Sequence, residues 1–346
     1  MRARLRPAVV VALVLALLLV AAASVLGVRW WRDAHRTDLE RALSLAPSEI
    51  ERASWTAWGA VRRELGADDL GELLDAGYDA DLTSASALVE SAPLLEEEYG
   101  WSPASVEWEL YSQSAAGAAV VLGLADDVDL EDLGDRLESL GYVRPDDEAG
   151  VWQGGEELVA RVAAGRPSSP VLQYAALDAG ERVLTLSDNA GYLGSVVEDR
   201  GGEESLDEVV DAIGDPLSAS VYRGSYACSA LAMSQADPAD RAEADELLAA
   251  AGEVHPMTAF AMAVQPDRDV LVAMSFESDD QARADADSRA VLAAGPAPGQ
   301  GGSFTDRFAL GEVVAEGTVV TLPLRPAEGA FVLSDLSSGP VLFATC

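Results

Sequence analysis

The sequence predicts an α+β protein: an N-terminal transmembrane helix, a short helical region, then repeated strand–strand–helix units forming antiparallel sheets covered by helices. Three observations carry this reading. Residues 7–28 are apolar apart from Ser24. Between 46 and 100, apolar residues recur every three to four positions, the period of a half-buried helix. From 105 onward the period falls to two, the mark of strands with one face in a core.

The apolar run comes first. Its helix would be about 33 Å long at ~1.5 Å per residue, enough for a bilayer core of about 30 Å. Ala21-Ala22-Ala23 offers a cleavage site, but Val25, Leu26 and Val28 continue the run beyond it. Trp30 and Trp31 follow between Arg29 and Arg32, side chains suited to a membrane interface. A retained anchor is therefore expected over a cleaved signal. Arg2, Arg4 and Arg6 precede it with no acid among them, which predicts a cytoplasmic N-terminus and an extracytoplasmic body.

The predicted elements then run in order. A polar helical stalk continues to residue 45. In SWTAWGAVRRELG, Ser54 is the expected N-cap, Gly66 the terminator, and Trp55, Trp58, Val61 and Leu65 one buried face. Thr83 or Ser84 opens a further helix, and Pro93 suits the first turn of another. Hairpins follow near 113–117, 178–181 and 266–269, each leading into a helix: 130–141, 189–199 and 279–294. A last hairpin spans 308–324, with a helix near 327–337. Strand 217–234 and helix 237–251 lie between the second and third units. GPAPGQGGS, 295–303, is expected to be an exposed loop. Such units argue α+β rather than a doubly wound parallel sheet.

Charge and composition exclude several functions. The chain has 59 acids and 23 basic residues, all arginine, and none of the acids precedes Asp33. No nucleic-acid partner is expected, because phosphate binding needs a basic surface. The absence of lysine removes Walker A, protein-kinase, pyridoxal and S-x-x-K chemistry. His35 and His255 are the only histidines, and no G-x-S-x-G or H-E-x-x-H occurs. Neither metal nor cofactor is expected. In ADDVDLEDLGD, Asp127, Asp129 and Glu131 alternate as in calcium loops, but Asp129 is better placed to cap a helix. A Cys228–His255 nucleophile pair is the weaker reading against a structural cysteine and a loop histidine. A disulfide between Cys228 and Cys346 is expected instead, from two inward-facing strands in an oxidising compartment.

Two runs carry a resemblance. GERVLTLSDNAGYLGSVVEDRGGEESLDEVVDAIGDPLSASVYRG resembles a segment of bacterial cell-envelope proteins of unknown function. LAPSEIERASWTAWGAVRRELG is similar to the membrane-proximal part of uncharacterised actinobacterial anchored proteins, although Ala57 stands where those would carry Asp. The resemblance implies an envelope protein and offers no activity to carry over.

Five segments result: a cytoplasmic tip 1–6, a transmembrane helix 7–28, a stalk 29–45, a helical region plus first α+β half 46–204, and a second half 205–346. The expected function is a single-pass binding or envelope-assembly module meeting an envelope protein or cell-wall partner. The alternative is an extracytoplasmic hydrolase with a carboxylate pair, acting on cell wall or polysaccharide.

Overall fold

Twelve strands carry the architecture in the computed structural model, which describes residues 36–147, 150–201 and 204–346. In chain order they are β1 (Arg52–Thr56), β2 (Val106–Ser114), β3 (Gly117–Leu124), β4 (Trp152–Gln153), β5 (Tyr174–Asp178), β6 (Val183–Ser187), β7 (Ser218–Arg223), β8 (Ala259–Val264), β9 (Val270–Ser275), β10 (Phe308–Leu310), β11 (Val314–Glu316) and β12 (Val319–Pro326). They form one sheet ordered β10-β12-β9-β8-β7-β1-β2-β3-β6-β5-β4, with β11 also on β12. The pairings between these strands are antiparallel. The expected membrane helix 7–28 and its flanking Arg29, Trp30, Trp31 and Arg32 lie outside the described residues. Among the described residues no helix is long and apolar enough to cross a membrane.

One chain order occurs twice. Helix Asp38–Ser44, β1, helices Trp58–Leu65 and Leu70–Asp79, hairpin β2–β3 and helix Leu130–Leu140 form the first pass. Helix Asp207–Ile213, β7, helices Gly224–Ala230 and Pro238–Ala251, hairpin β8–β9 and helix Asp279–Ala293 repeat it. A later strand returns to the outer side of each hairpin, β6 beside β3 and β12 beside β9. The two passes join where β1 pairs with β7, Ser54 opposite Ser220. The sheet therefore runs unbroken through both.

Alternation along each strand sorts side chains between two cores. In β8, Phe260, Met262 and Val264 belong to the larger core, while Ala259, Ala261 and Ala263 face the other. Trp58 and Val61, Leu133 and Leu137, and Ala282 and Leu292 bring three helices onto the first face. Leu39 and Leu43 of helix Asp38–Ser44, with Val209, Val210 and Ile213 of helix Asp207–Ile213, close the second. Both faces are thus covered, where the sequence predicted helices on one. The two covering helices are short and sit in segments that read as stalk and linker. From Asp38 the expected stalk is already part of the folded body.

The hairpins and the helices after them form where the period-two pattern put them. Four local expectations are corrected, the first being the helix opening at Thr83 or Ser84: the chain makes a turn there, the Ser86 N–H donating to the Thr83 carbonyl at 3.1 Å, and the next helical turn is Val89–Ser91. RASWT is strand β1 rather than the start of a helix, because Ser54 pairs with Tyr111 on one side and Ser220 on the other. The helix begins at Trp58, and Gly66 ends it in the left-handed region as expected. Trp55 and Trp58 are both buried, but in opposite cores. The strand expected over 217–234 stops at Arg223 and becomes helix Gly224–Ala230. At Gly224 the β8 side of the sheet approaches so closely that a Cβ would lie 1.8 Å from the Met257 carbonyl oxygen. Finally, 295–303 is a loop as expected, but only part of it is exposed and it is bonded internally. Ala297 is buried, its N–H donates to the Gly302 carbonyl at 3.0 Å, and the Gln300 side chain donates to the Pro340 carbonyl at 2.8 Å.

Candidate functional site

A β-bulge in β2 creates the concave region. The register steps from Val106↔Leu124 to Trp108↔Gly123, which inserts Glu107 as an extra residue. The insertion breaks the alternation that would have put Val106, Trp108 and Leu110 on one face. Val106 enters the larger core, whereas Trp108 and Leu110 enter the other. Trp108 then lies over Gly123, where a Cβ would sit 2.1 Å from the ring, and stacks on Trp55 at 5.8 Å.

Two cavities adjoin at this bulge, sharing Glu107, Ala125 and Asp127. One, of about 450 Å³, is bounded by Asp38, Arg41, Trp108 and Arg182. The other, of about 690 Å³, is walled by Arg62, Tyr99, Trp101, Asp132 and Arg136. Both volumes lie in the range of ligand sites. The connection from β3 to helix Leu130–Leu140 divides them. Asp129 fixes that connection by accepting from the Glu131 N–H at 2.9 Å and the Asp132 N–H at 3.3 Å. It is a helix cap, as the sequence suggested. Among the described residues no group of three His, Cys, Asp or Glu side chains is arranged to hold a metal.

The arginines around the cavities are engaged within the protein. Arg62 donates to the Pro103 carbonyl at 2.9 Å, the Val106 carbonyl at 2.6 Å and the Glu107 carboxylate at 3.2 Å. Burial draws its pKa down, against the raising effect of Glu107. Arg136 donates to the Glu98 and Glu97 carbonyls at 2.5 and 2.9 Å. Arg182 holds the Ala125 and Val128 carbonyls at 2.6 and 2.9 Å. These contacts pin the walls.

Buried carboxyls lie elsewhere. Glu109, two residues past the bulge, accepts from Trp58 Nε1 at 2.9 Å, Ser86 Oγ at 2.7 Å and the Ala87 N–H at 2.7 Å. Burial pushes its carboxyl above the usual carboxylate range, against the lowering effect of those donors. Asp81 accepts from the Leu333 and Ser334 N–H groups and from the Ser334 and Ser84 hydroxyls. It caps helix Val332–Leu336 from the other end of the chain, and burial raises its pKa too. Neither lines the two cavities.

Cys228 and Cys346 form the expected disulfide, with Cα atoms 5.6 Å apart. The geometry differs from the expected strand pair: Cys228 is in helix Gly224–Ala230 and Cys346 follows the short helix Leu342–Ala344. Oxidised, Cys228 offers no thiol for a pair with His255. His255 instead meets Asp285, Nδ1 to Oδ2 at 2.6 Å. Fully buried Arg289 donates to Asp285 at 2.9 Å, to the His255 carbonyl at 2.8 Å, and to the Phe343 and Thr345 carbonyls at 2.7 and 2.6 Å. Nothing in the sequence around Arg289 marked this cluster, since DSRAV reads as an ordinary exposed helical turn. The cavity at Glu107 was equally hidden, because it depends on a bulge.

No family model matches the chain, and no curated protein matches its sequence. Among solved structures, crystal form I of TP0453 is similar at TM-score 0.40 and 8% identity, covering 86% of this chain and 96% of that one. Crystal form III of TP0453 gives TM-score 0.39 and 8% identity, over 85% and 97% of the two chains.

Proposed function

We propose that this chain is a membrane-tethered, extracytoplasmic binding or assembly module, held by residues 7–28 with Arg29, Trp30, Trp31 and Arg32 at the interface and its N-terminus in the cytoplasm. The observation that carries the location is the Cys228–Cys346 disulfide in a chain whose first residues include a bilayer-length apolar run. Binding is favoured over hydrolysis by where the carboxyls lie. An acid–base pair needs one carboxyl of raised pKa facing substrate. Glu109 and Asp81 have raised values but are saturated by donors away from the cavities, and Asp215, raised by burial and by the neighbouring Asp38 and Glu40 charges, is not among the residues that line them. The cavities at Glu107 are the surface through which an envelope protein or cell-wall partner would be met.

Location and anchorage are tested together. In membranes from expressing cells, the chain should pellet, keep its N-terminal residues on sequencing, and be digested by protease added from the extracytoplasmic side. A mature chain that begins at Ser24 and is released in soluble form would refute the tether. Protection from external protease would refute the orientation.

A further inference from the structure

We propose that Tyr78 and Phe331 form a stacking platform for a neutral glycan, whose pyranose C–H face lies on the Tyr78 ring and whose hydroxyls meet the Tyr78 hydroxyl and the Asp75 carboxylate. The site goes beyond the reading above and is separate from the cavities at Glu107, since none of these three residues lines them.

The pair stands apart from the ring contacts of the core. Trp55 and Trp108, Tyr99 and Tyr142, and Phe304 and Phe343 are buried on both sides. Tyr78 is 67% exposed and Phe331 half-buried, with ring centroids 5.6 Å apart and planes tilted by 44°. A lone exposed tyrosine would call for no explanation. This one is met by a ring from the far end of the chain, and the meeting is fixed. Asp81, three residues past Tyr78, takes the left-handed conformation at φ 56°. Its buried carboxyl accepts from the N–H groups of Leu333 at 2.7 Å and Ser334 at 3.2 Å, just past Phe331. Burying a carboxyl is costly unless it is hydrogen-bonded, and here the bonds go to the segment that carries the second ring. The two rings are therefore held together while Tyr78 stays open to solvent.

Chemistry selects the occupant. The Tyr78 hydroxyl makes no hydrogen bond among the described residues. Asp75 is exposed one turn earlier on the same side of the helix, and its carboxylate also has no partner among the described residues. An open ring with polar groups at its rim matches a sugar, which carries an apolar C–H face and a girdle of hydroxyls. A docked protein would need a wider apolar patch, whereas Asp75, Asp79 and Ser84 near Tyr78 in the chain are polar and exposed. An anionic glycan is disfavoured, because residues 64–135 and 326–346, which supply the platform, contain no basic residue.

The test is titration followed by saturation-transfer NMR, on the full chain in micelles of a polyoxyethylene detergent, which carries no sugar. The probes are tri-N-acetylchitotriose and maltotriose as neutral glycans, and acetyl-Lys-Ala-Lys-amide as a cation. At least one glycan should bind, with saturation strongest on the C–H protons of one ring face. Tyr78→Ala should weaken that binding about tenfold, the size of one aromatic contact. Tyr78→Phe keeps the ring and loses the hydroxyl, and should weaken it roughly threefold. Val143→Ala, at another exposed apolar side chain, should leave it unchanged. Because Tyr78 is exposed, both of its variants should keep the circular dichroism of the parent chain. The proposal is overturned if neither glycan binds, if Tyr78→Ala binds as tightly as the parent, or if Val143→Ala weakens binding as much. Binding of the lysine peptide that is lost in Tyr78→Ala, with no glycan bound, would make the platform a cation site and also overturn it. None of these outcomes bears on protease accessibility or on the residues at Glu107, so failure here is distinguishable from failure of the tethered-module reading.

Discussion

Arg289 shows how one residue sets the conformation of a distant segment. Its guanidinium has no solvent exposure and, among the described residues, no charge partner other than Asp285, yet each of its nitrogens finds an acceptor. Replacing it leaves Asp285, also fully buried, with His255 as its remaining partner, and frees the Phe343 and Thr345 carbonyls. Arg289→Ala should therefore cost about 3–5 kcal/mol, the usual cost of breaking a buried ion pair by removing one partner. Urea unfolding of the variant against the parent chain measures it, and a loss under about 1 kcal/mol would contradict the clamp. Glu109 gives a second residue-level expectation, with its sign set by burial. Because its folded pKa is raised, the folded chain holds that proton more tightly than the unfolded chain does. The associated stability is complete below the ordinary value of 4.5 and is lost as pH rises through the folded value. Glu109→Gln should remove that loss. The stability of the parent minus that of the variant, measured by unfolding at several pH values, should fall between acid and neutral pH. A difference that rises instead would reverse the assignment.

At the level of elements, hairpin β2–β3 depends on a single missing Cβ. Gly123 leaves room for the Trp108 ring, which in turn stacks on Trp55 across to β1. Gly123→Val should displace Trp108 and cost roughly 1–3 kcal/mol by overpacking. Thermal unfolding measures the cost, and near-ultraviolet circular dichroism should show loss of the Trp55–Trp108 signal. Unchanged spectra would mean that the ring does not depend on the glycine. The same hairpin shows what the sequence discloses. Its strands and the helix after it follow from period two, a Gly-containing turn and Asp129 as cap, because those signals are local. The bulge is not local. Val106, Trp108 and Leu110 keep perfect alternation in the sequence, and only the pairing with Leu124 and Gly123 shows that one residue has been inserted. β1 was hidden for a related reason. Trp55 and Trp58 have helical spacing, but RASWT gains neighbours on both sides of a sheet, and two ladders outweigh a local period. The disulfide was legible from the cysteine count and the expected compartment, although its helical setting was not, since the close approach at Gly224 comes from Met257 and Thr258, just before β8.

The whole molecule is held by the junction of its two passes. β1 and β7 lie in the middle of the sheet, and the larger core draws side chains from both passes, Trp58 and Leu133 from one, Phe260 and Leu292 from the other. Unfolding should therefore be a single transition, with tryptophan fluorescence and far-ultraviolet circular dichroism coincident and the calorimetric enthalpy equal to the van't Hoff value. Two resolved transitions would mean that the passes are separate cooperative units. High salt should raise the midpoint, because screening relieves repulsion among 59 acids opposed by 23 arginines. The junction also orders events in time. As the chain emerges from the ribosome or a translocation channel, β2 soon becomes available to β1, but Ser54 gains Ser220 only after the second pass has begun. Until then β1 is an unpaired strand edge, a template for any extended segment nearby. Nascent chains of this protein therefore spend that interval open to mispairing with one another, and the central seam that later makes the sheet continuous is the place where a holding chaperone would do most for its yield.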